Sequence, residues 1–138
     1  MPEFQPPRSR PLADVYADLR RDPPASRLST KRVPTKRGGG YEATYMHHAV
    51  VRDFLDLYAP GWEWTTRLES IAGKVYCIGT LTLWGLDVDG RCISVSRDGM
   101  GNEDDALDGY GDPSSNSEAQ ALRRAAMAHG FCRSLWKK

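Results

Sequence analysis

Apolar positions change period twice along the chain, and each change marks an element. Leu12, Val15, Tyr16 and Leu19 recur at i, i+3, i+4 and i+7, which predicts a short amphipathic helix that Pro23 and Pro24 end. A second helix is predicted over 47–59, with Val50, Val51, Phe54, Leu57 and Tyr58 as its apolar stripe and Arg52, Asp53 and Asp56 off it. Pro60 and Gly61 stop it. The period then drops to two. Trp62, Trp64, Thr66 and Leu68 alternate with Glu63, Thr65, Arg67 and Glu69, which predicts a strand with one buried face. Ala72 and Gly73 supply a turn. The stretch KVYCIGTLTLW at 74–84 is apolar on nearly both faces and is expected to be the best covered strand. Asp89 and Gly90 turn the chain into a third strand, RCISVS at 91–96. Residues 97–113, rich in glycine and acids, read as loop. Ser115 with Glu118 has capping-box spacing and opens an alanine-rich helix running to His129, whose core-facing stripe is expected to be Ala119, Leu122, Ala126 and His129.

The elements add up to an α+β chain: an antiparallel β-β-β meander packed against a long C-terminal helix, preceded by a helix and a glycine-tipped hairpin within residues 25–40. Residues 1–11 carry four prolines and little apolar content, so they are expected to be a mobile arm on a single domain over 12–138. The length, 138 residues, suits one core. No apolar run nears the roughly 20 residues of a bilayer span. The N-terminus lacks the apolar core of a secretory signal, so a cytoplasmic location without membrane contact is expected. Cys77, Cys92 and Cys132 form no CxxC and read as reduced, mostly buried thiols.

Charge alters this picture only when it is divided along the chain. Residues 1–40 hold 9 Lys and Arg against 4 acids, residues 41–112 hold 5 against 13, and residues 113–138 hold 5 against 1. Basic ends flank an acidic middle, although the net charge is only +1. Such segregation suits a polyanion, or the meeting of unlike patches on neighbouring copies.

Several segments, taken in order and spacing, resemble one family. They are VVRDFLDLYAPGWEW at 50–64, GKVYCIGTLTLWG at 73–85 ahead of the Asp89-Gly90 turn, GMG at 99–101, and SEAQALRRAAMAHGFCRSLW at 117–136. This set is similar to the Rad fifty-two superfamily of single-strand annealing proteins, and within it to the DdrA branch of bacterial DNA-damage response proteins. The resemblance covers about residues 12–136. It implies the annealing fold of that superfamily and binding of single-stranded DNA without ATP or other cofactor. It further implies a homo-oligomer, ring-shaped in many members, a role in DNA repair and recombination through strand annealing or end protection, and a place at the bacterial nucleoid.

The resemblance also implies where DNA would lie. Arg123 and Arg124 match the adjacent basic pair that lines the family's groove, while Met127 replaces a third helix base. A basic position near the start of the preceding helix falls at Ala49, with His48 and Arg52 on either side. Arg67 and Lys74 flank the first meander turn, Lys36 and Arg37 close the basic run that begins at Arg27, and Arg133 belongs to the basic close; these complete the candidate DNA-binding set. Guanidinium forks suit phosphate, and Met127 and Phe131 beside them offer an apolar shelf for bases or a packing surface. Trp62, Trp64, Trp84 and Trp136 read as core.

No catalytic residue and no metal ligand is expected. A rival reading uses Glu103, Asp104, Asp105, Asp108 and Asp112, with His47 and His48, as a metal-dependent DNA-processing site. Carboxylates strung along a glycine-rich loop are poorly placed to converge on a metal. A second rival is a duplex-binding or RNA-binding module built on the basic N-terminal run. No phosphate loop or nucleophile elbow is present in the sequence.

Overall fold

The computed structural model describes residues 7–34, 38–104 and 113–132. Its elements run α1 (Leu12–Leu19), β1 (Ser29–Pro34), β2 (Gly40–Tyr45), α2 (His48–Tyr58), β3 (Glu63–Ile71), β4 (Lys74–Leu86), β5 (Cys92–Asp104) and α3 (Pro113–Ala128). The class is α+β. β3, β4 and β5 form an antiparallel sheet with β4 in the centre, and β1 pairs with β2 in a separate hairpin.

Turn chemistry sets the register of the meander. Ala72 and Gly73 both have positive φ, the two-residue turn whose twist matches a hairpin, and it places Ile71 opposite Lys74. At the other end Asp87 Oδ1 accepts from the backbone N–H groups of Asp89 and Arg91, each at 2.9 Å, with Gly90 in the left-handed region. Alternation then sorts β4. Cys77, Gly79, Leu81, Leu83 and Gly85 are buried on one face, where α1, α2 and α3 lie, and among the described residues the other face carries no helix. Leu81 and Leu83 join Val15, Leu55, Met46, Leu122, Ala126 and Phe131 in the core.

β5 extends well beyond the expected 91–96, through the glycine segment to Asp104. The glycines are there for the helix. A Cβ at Gly99 would lie 2.2 Å from the Ala121 carbonyl oxygen, and one at Gly101 would lie 2.0 Å from that of Ser117. α3 therefore rests directly on the backbone of β5. It begins at Pro113, two residues before the start that the Ser115–Glu118 spacing predicts, in keeping with proline's fixed φ in a first turn. It closes on Gly130, where Phe131 N–H bonds the Ala126 carbonyl and Gly130 N–H that of Met127. The covered stripe is Ala121, Leu122, Ala125, Ala126 and His129, while Ala119 is only half-buried.

Three further expectations change. Trp64 is half-buried, but Thr66 and Leu68 on the same face of β3 are exposed, Leu68 by 50 %, because α3 covers β4 and β5 and leaves this edge strand open. In α2, Leu55 is buried and Leu57 is 46 % exposed, so the stripe is rotated toward Val51 and Leu55. The expected arm, over its described residues 7–11, lies against the body. Arg8 N–H bonds the Pro60 carbonyl, Pro11 bridges to Leu86, and the Arg8 guanidinium stacks 4.1 Å above the Trp84 ring while pairing with Glu63.

Candidate nucleic-acid interface

Two elements bring the sequence candidates together on the helical side of the sheet. α2 starts at His48 because His47, in extended conformation, caps it: Nδ1 of His47 accepts from Ala49 N–H at 3.2 Å. That start sets His48 at the first turn and Arg52 one turn further on, beside α3. Arg52 Nη2 reaches Glu118 Oε1 of α3 at 2.9 Å, and its guanidinium stands 5.9 Å from the Trp62 ring centroid. From the other direction Arg123 of α3 faces the Tyr45 ring at 6.0 Å, at the end of β2. His48, Arg52 and Arg123 thus meet where hairpin, α2 and α3 join.

The electrostatics of this junction are those of cations held close together. Burial pulls the Arg123 guanidinium below its ordinary value, Tyr45 opposes that pull, and the neighbouring Arg124 adds to it. His48 is also pulled down, first by burial and then by His47, Arg52 and Arg123, with Glu118 acting the other way. Nδ1 of His48 is buried without a hydrogen-bond partner. Glu118 is the carboxylate found at this junction, and it is engaged by Arg52.

The adjacent pair on α3 does not act as one fork. Arg123 is half-buried against the hairpin, whereas Arg124 is exposed and donates from Nη1 to the Met100 carbonyl of β5 at 2.6 Å. A step of 100° around the helix sends consecutive side chains to opposite flanks. Arg67 and Lys74 lie elsewhere again. By alternation from the buried Cys77 they sit on the helix-free face of the sheet, where Arg67 Nε pairs with Glu69 at 3.1 Å. Lys36, Arg37 and Arg133 fall outside the described residues.

The apolar shelf survives in half. Met127 is 41 % exposed beside Arg124, but Phe131 is buried in the core with its ring centroid 6.0 Å from that of Phe54. Trp62, Trp64 and Trp84 are half-buried; Trp62 Nε1 donates to Asp56 Oδ1 at 2.7 Å and Trp84 Nε1 to Glu63 Oε1 at 2.9 Å. Trp136 is outside the described residues, as are Asp105, Asp108 and Asp112 of the acidic loop. Among the described residues no three His, Cys, Asp or Glu side chains converge as a metal site, and no helix is long and apolar enough to cross a membrane.

Tyr45 and Glu118 are the functional neighbours that sequence reasoning missed, and His47 was named only for the metal-site rival. For Tyr45 a signal existed: Tyr41, Ala43 and Tyr45 alternate with polar residues ahead of α2, the period of a strand.

No family model matches the chain. Among curated proteins it is similar to the mitochondrial DNA repair RAD52-like protein 1 of Arabidopsis thaliana, at 29 % identity over 126 residues. That likeness supports the Rad fifty-two superfamily. The alignment takes in 89 % of this chain and 66 % of the plant protein, so the chain spans just under two thirds of that relative's length.

Proposed function

We propose that the protein binds single-stranded DNA and serves DNA repair and recombination by annealing complementary strands or protecting ends, without ATP, as a homo-oligomer. The name of the plant relative, a DNA repair protein, supports the general assignment. The observation that carries the finer reading is the junction itself: Arg123, Arg52 and His48 come from two helices to one place, Arg123 against the Tyr45 ring and Arg52 paired with Glu118. Such a cluster has little internal compensation, and a phosphate diester supplies it. Backbone contact of this kind leaves base edges free to find a complement, which is what annealing requires. Placement beside the DdrA branch, and a ring as the assembled form, belong to the same proposal. They rest on the segment likenesses and on the acidic middle and basic ends of the chain.

The test is the salt dependence of oligothymidylate binding. Arg123→Ala and Arg124→Ala are each expected to lower the slope of log affinity against log salt by about 0.7, the increment for one phosphate on a single strand. Arg67→Ala, already paired with Glu69, is expected to leave it unchanged. Wild-type protein that ignores single strands, or helix variants with the wild-type slope, would overturn the reading.

A further inference from the structure

His48 stands out at the junction because imidazole is the side chain whose charge changes near neutral pH. It occupies the first turn of α2, where the helix dipole opposes a positive charge. Its ring lies 4.3 Å from that of His47, centroid to centroid. Facing it are His47 and Arg52 from its own helix and Arg123 and Glu118 from α3, with Tyr45 of β2 against Arg123. Arg52 engages Glu118. Nδ1 of His48 is shut away from solvent and bonded to nothing. Apart from Glu118, which acts the other way, these features disfavour a charge on the imidazole, and all but the burial are electrostatic and reversible by one anion.

We propose that a nucleic-acid phosphate lodged between Arg52 and Arg123 draws a proton onto His48, so that strand binding and proton uptake are coupled. The proposal rests on the single-strand reading above and adds its regulation. A phosphate at that place replaces a field of cations by one close negative charge, and an opposite charge within about 4–6 Å favours the protonated imidazole. Protonation in turn adds a third cation to the grip. Linkage then fixes the sign: the complex binds more protons than the free protein, so affinity rises as pH falls. His47 holds the helix cap instead, its Nδ1 accepting from Ala49 N–H.

The experiment titrates the full chain with oligothymidylate, whose bases do not ionise between pH 5.5 and 8. Calorimetry at pH 6.5 in two buffers of different ionisation heat counts the protons taken up. The wild type is expected to take up close to one proton per occupied site, and its affinity to strengthen by up to about tenfold per pH unit through the window. His48→Gln is expected to abolish both the uptake and the strengthening of affinity with falling pH; His47→Gln retains the uptake. Far-UV circular dichroism at each pH checks that the fold persists. No uptake by the wild type, or equal uptake by His48→Gln, overturns the coupling while leaving the DNA reading intact. No binding at any pH removes both.

Discussion

Tyr16 Oη donates to Nδ1 of His129 at 2.7 Å, and the opposite ring nitrogen of His129 donates to the Leu81 carbonyl at 2.8 Å. The carbonyl accepts only, so Nε2 carries the hydrogen and Nδ1 is left as acceptor for the phenol. One neutral imidazole therefore pins α1, the end of α3 and the central strand. Burial pulls His129 below the ordinary histidine value, while its bond to Leu81 pulls the other way, and Arg97 and Arg20 add to the depression. The folded value is thus lower than the unfolded one. This contribution is fully present above about pH 6.5 and is lost as pH falls toward the lowered value. Urea midpoints measured from pH 7.5 to 5 are expected to fall, and His129→Gln is expected to flatten that dependence.

Removing the phenol leaves a buried acceptor unpaired. Tyr16→Phe is expected to cost about 1–3 kcal/mol at pH 7.5 in the same titration. A midpoint unchanged from the wild type would mean that water replaces the hydroxyl.

The glycine floor under α3 gives a sharper contrast. Gly99→Ala or Gly101→Ala drives a methyl into helix backbone that has no way to rotate aside, so each is expected to cost at least about 1–3 kcal/mol and to perturb near-UV circular dichroism. Gly90→Ala meets nothing within 4 Å but must hold a positive φ, and the milder penalty of about 1 kcal/mol is expected there.

Thiol chemistry follows burial. Cys92 is exposed, Cys77 and Cys132 are buried, and desolvation pushes the Cys132 thiol up to about 11. A colorimetric disulfide reagent at pH 8 is expected to modify one thiol per chain quickly and the other two only on unfolding.

If unlike patches on neighbouring copies meet, light scattering at micromolar concentration is expected to report an assembly whose mass falls at high salt. A strict monomer at low and moderate salt would contradict the oligomer.

The elements were legible because their periods were clean: α1 ends where the prolines require, and the Ala72-Gly73 and Asp89-Gly90 turns fall where expected. What stayed hidden depends on partners distant in sequence. Gly99 and Gly101 look like loop residues until α3 is laid across them, when the missing Cβ atoms become the reason for a strand. Leu68 alternates like a buried residue, but alternation cannot tell that the helix stops short of β3. At the junction, the cations of α2 and α3 were nominated from sequence, yet their separation from Arg67 and Lys74 is a property of sheet faces. The alternation of Tyr41, Ala43 and Tyr45 marks a strand, but only the fold sets Tyr45 against Arg123.

The divergence of Arg123 and Arg124 has a consequence for how the molecule tolerates change. Each guanidinium is aimed by the rotational setting of α3, and that setting is locked by contact between two main chains, not by side chains that could repack. A single uncharged residue inserted ahead of Leu122 would turn the following segment by about 100° and move both arginines off their flanks while leaving the charge intact. Deletions and insertions in this helix are therefore expected to be far more damaging than substitutions on its exposed side, and deep mutational profiles of the segment should show that asymmetry.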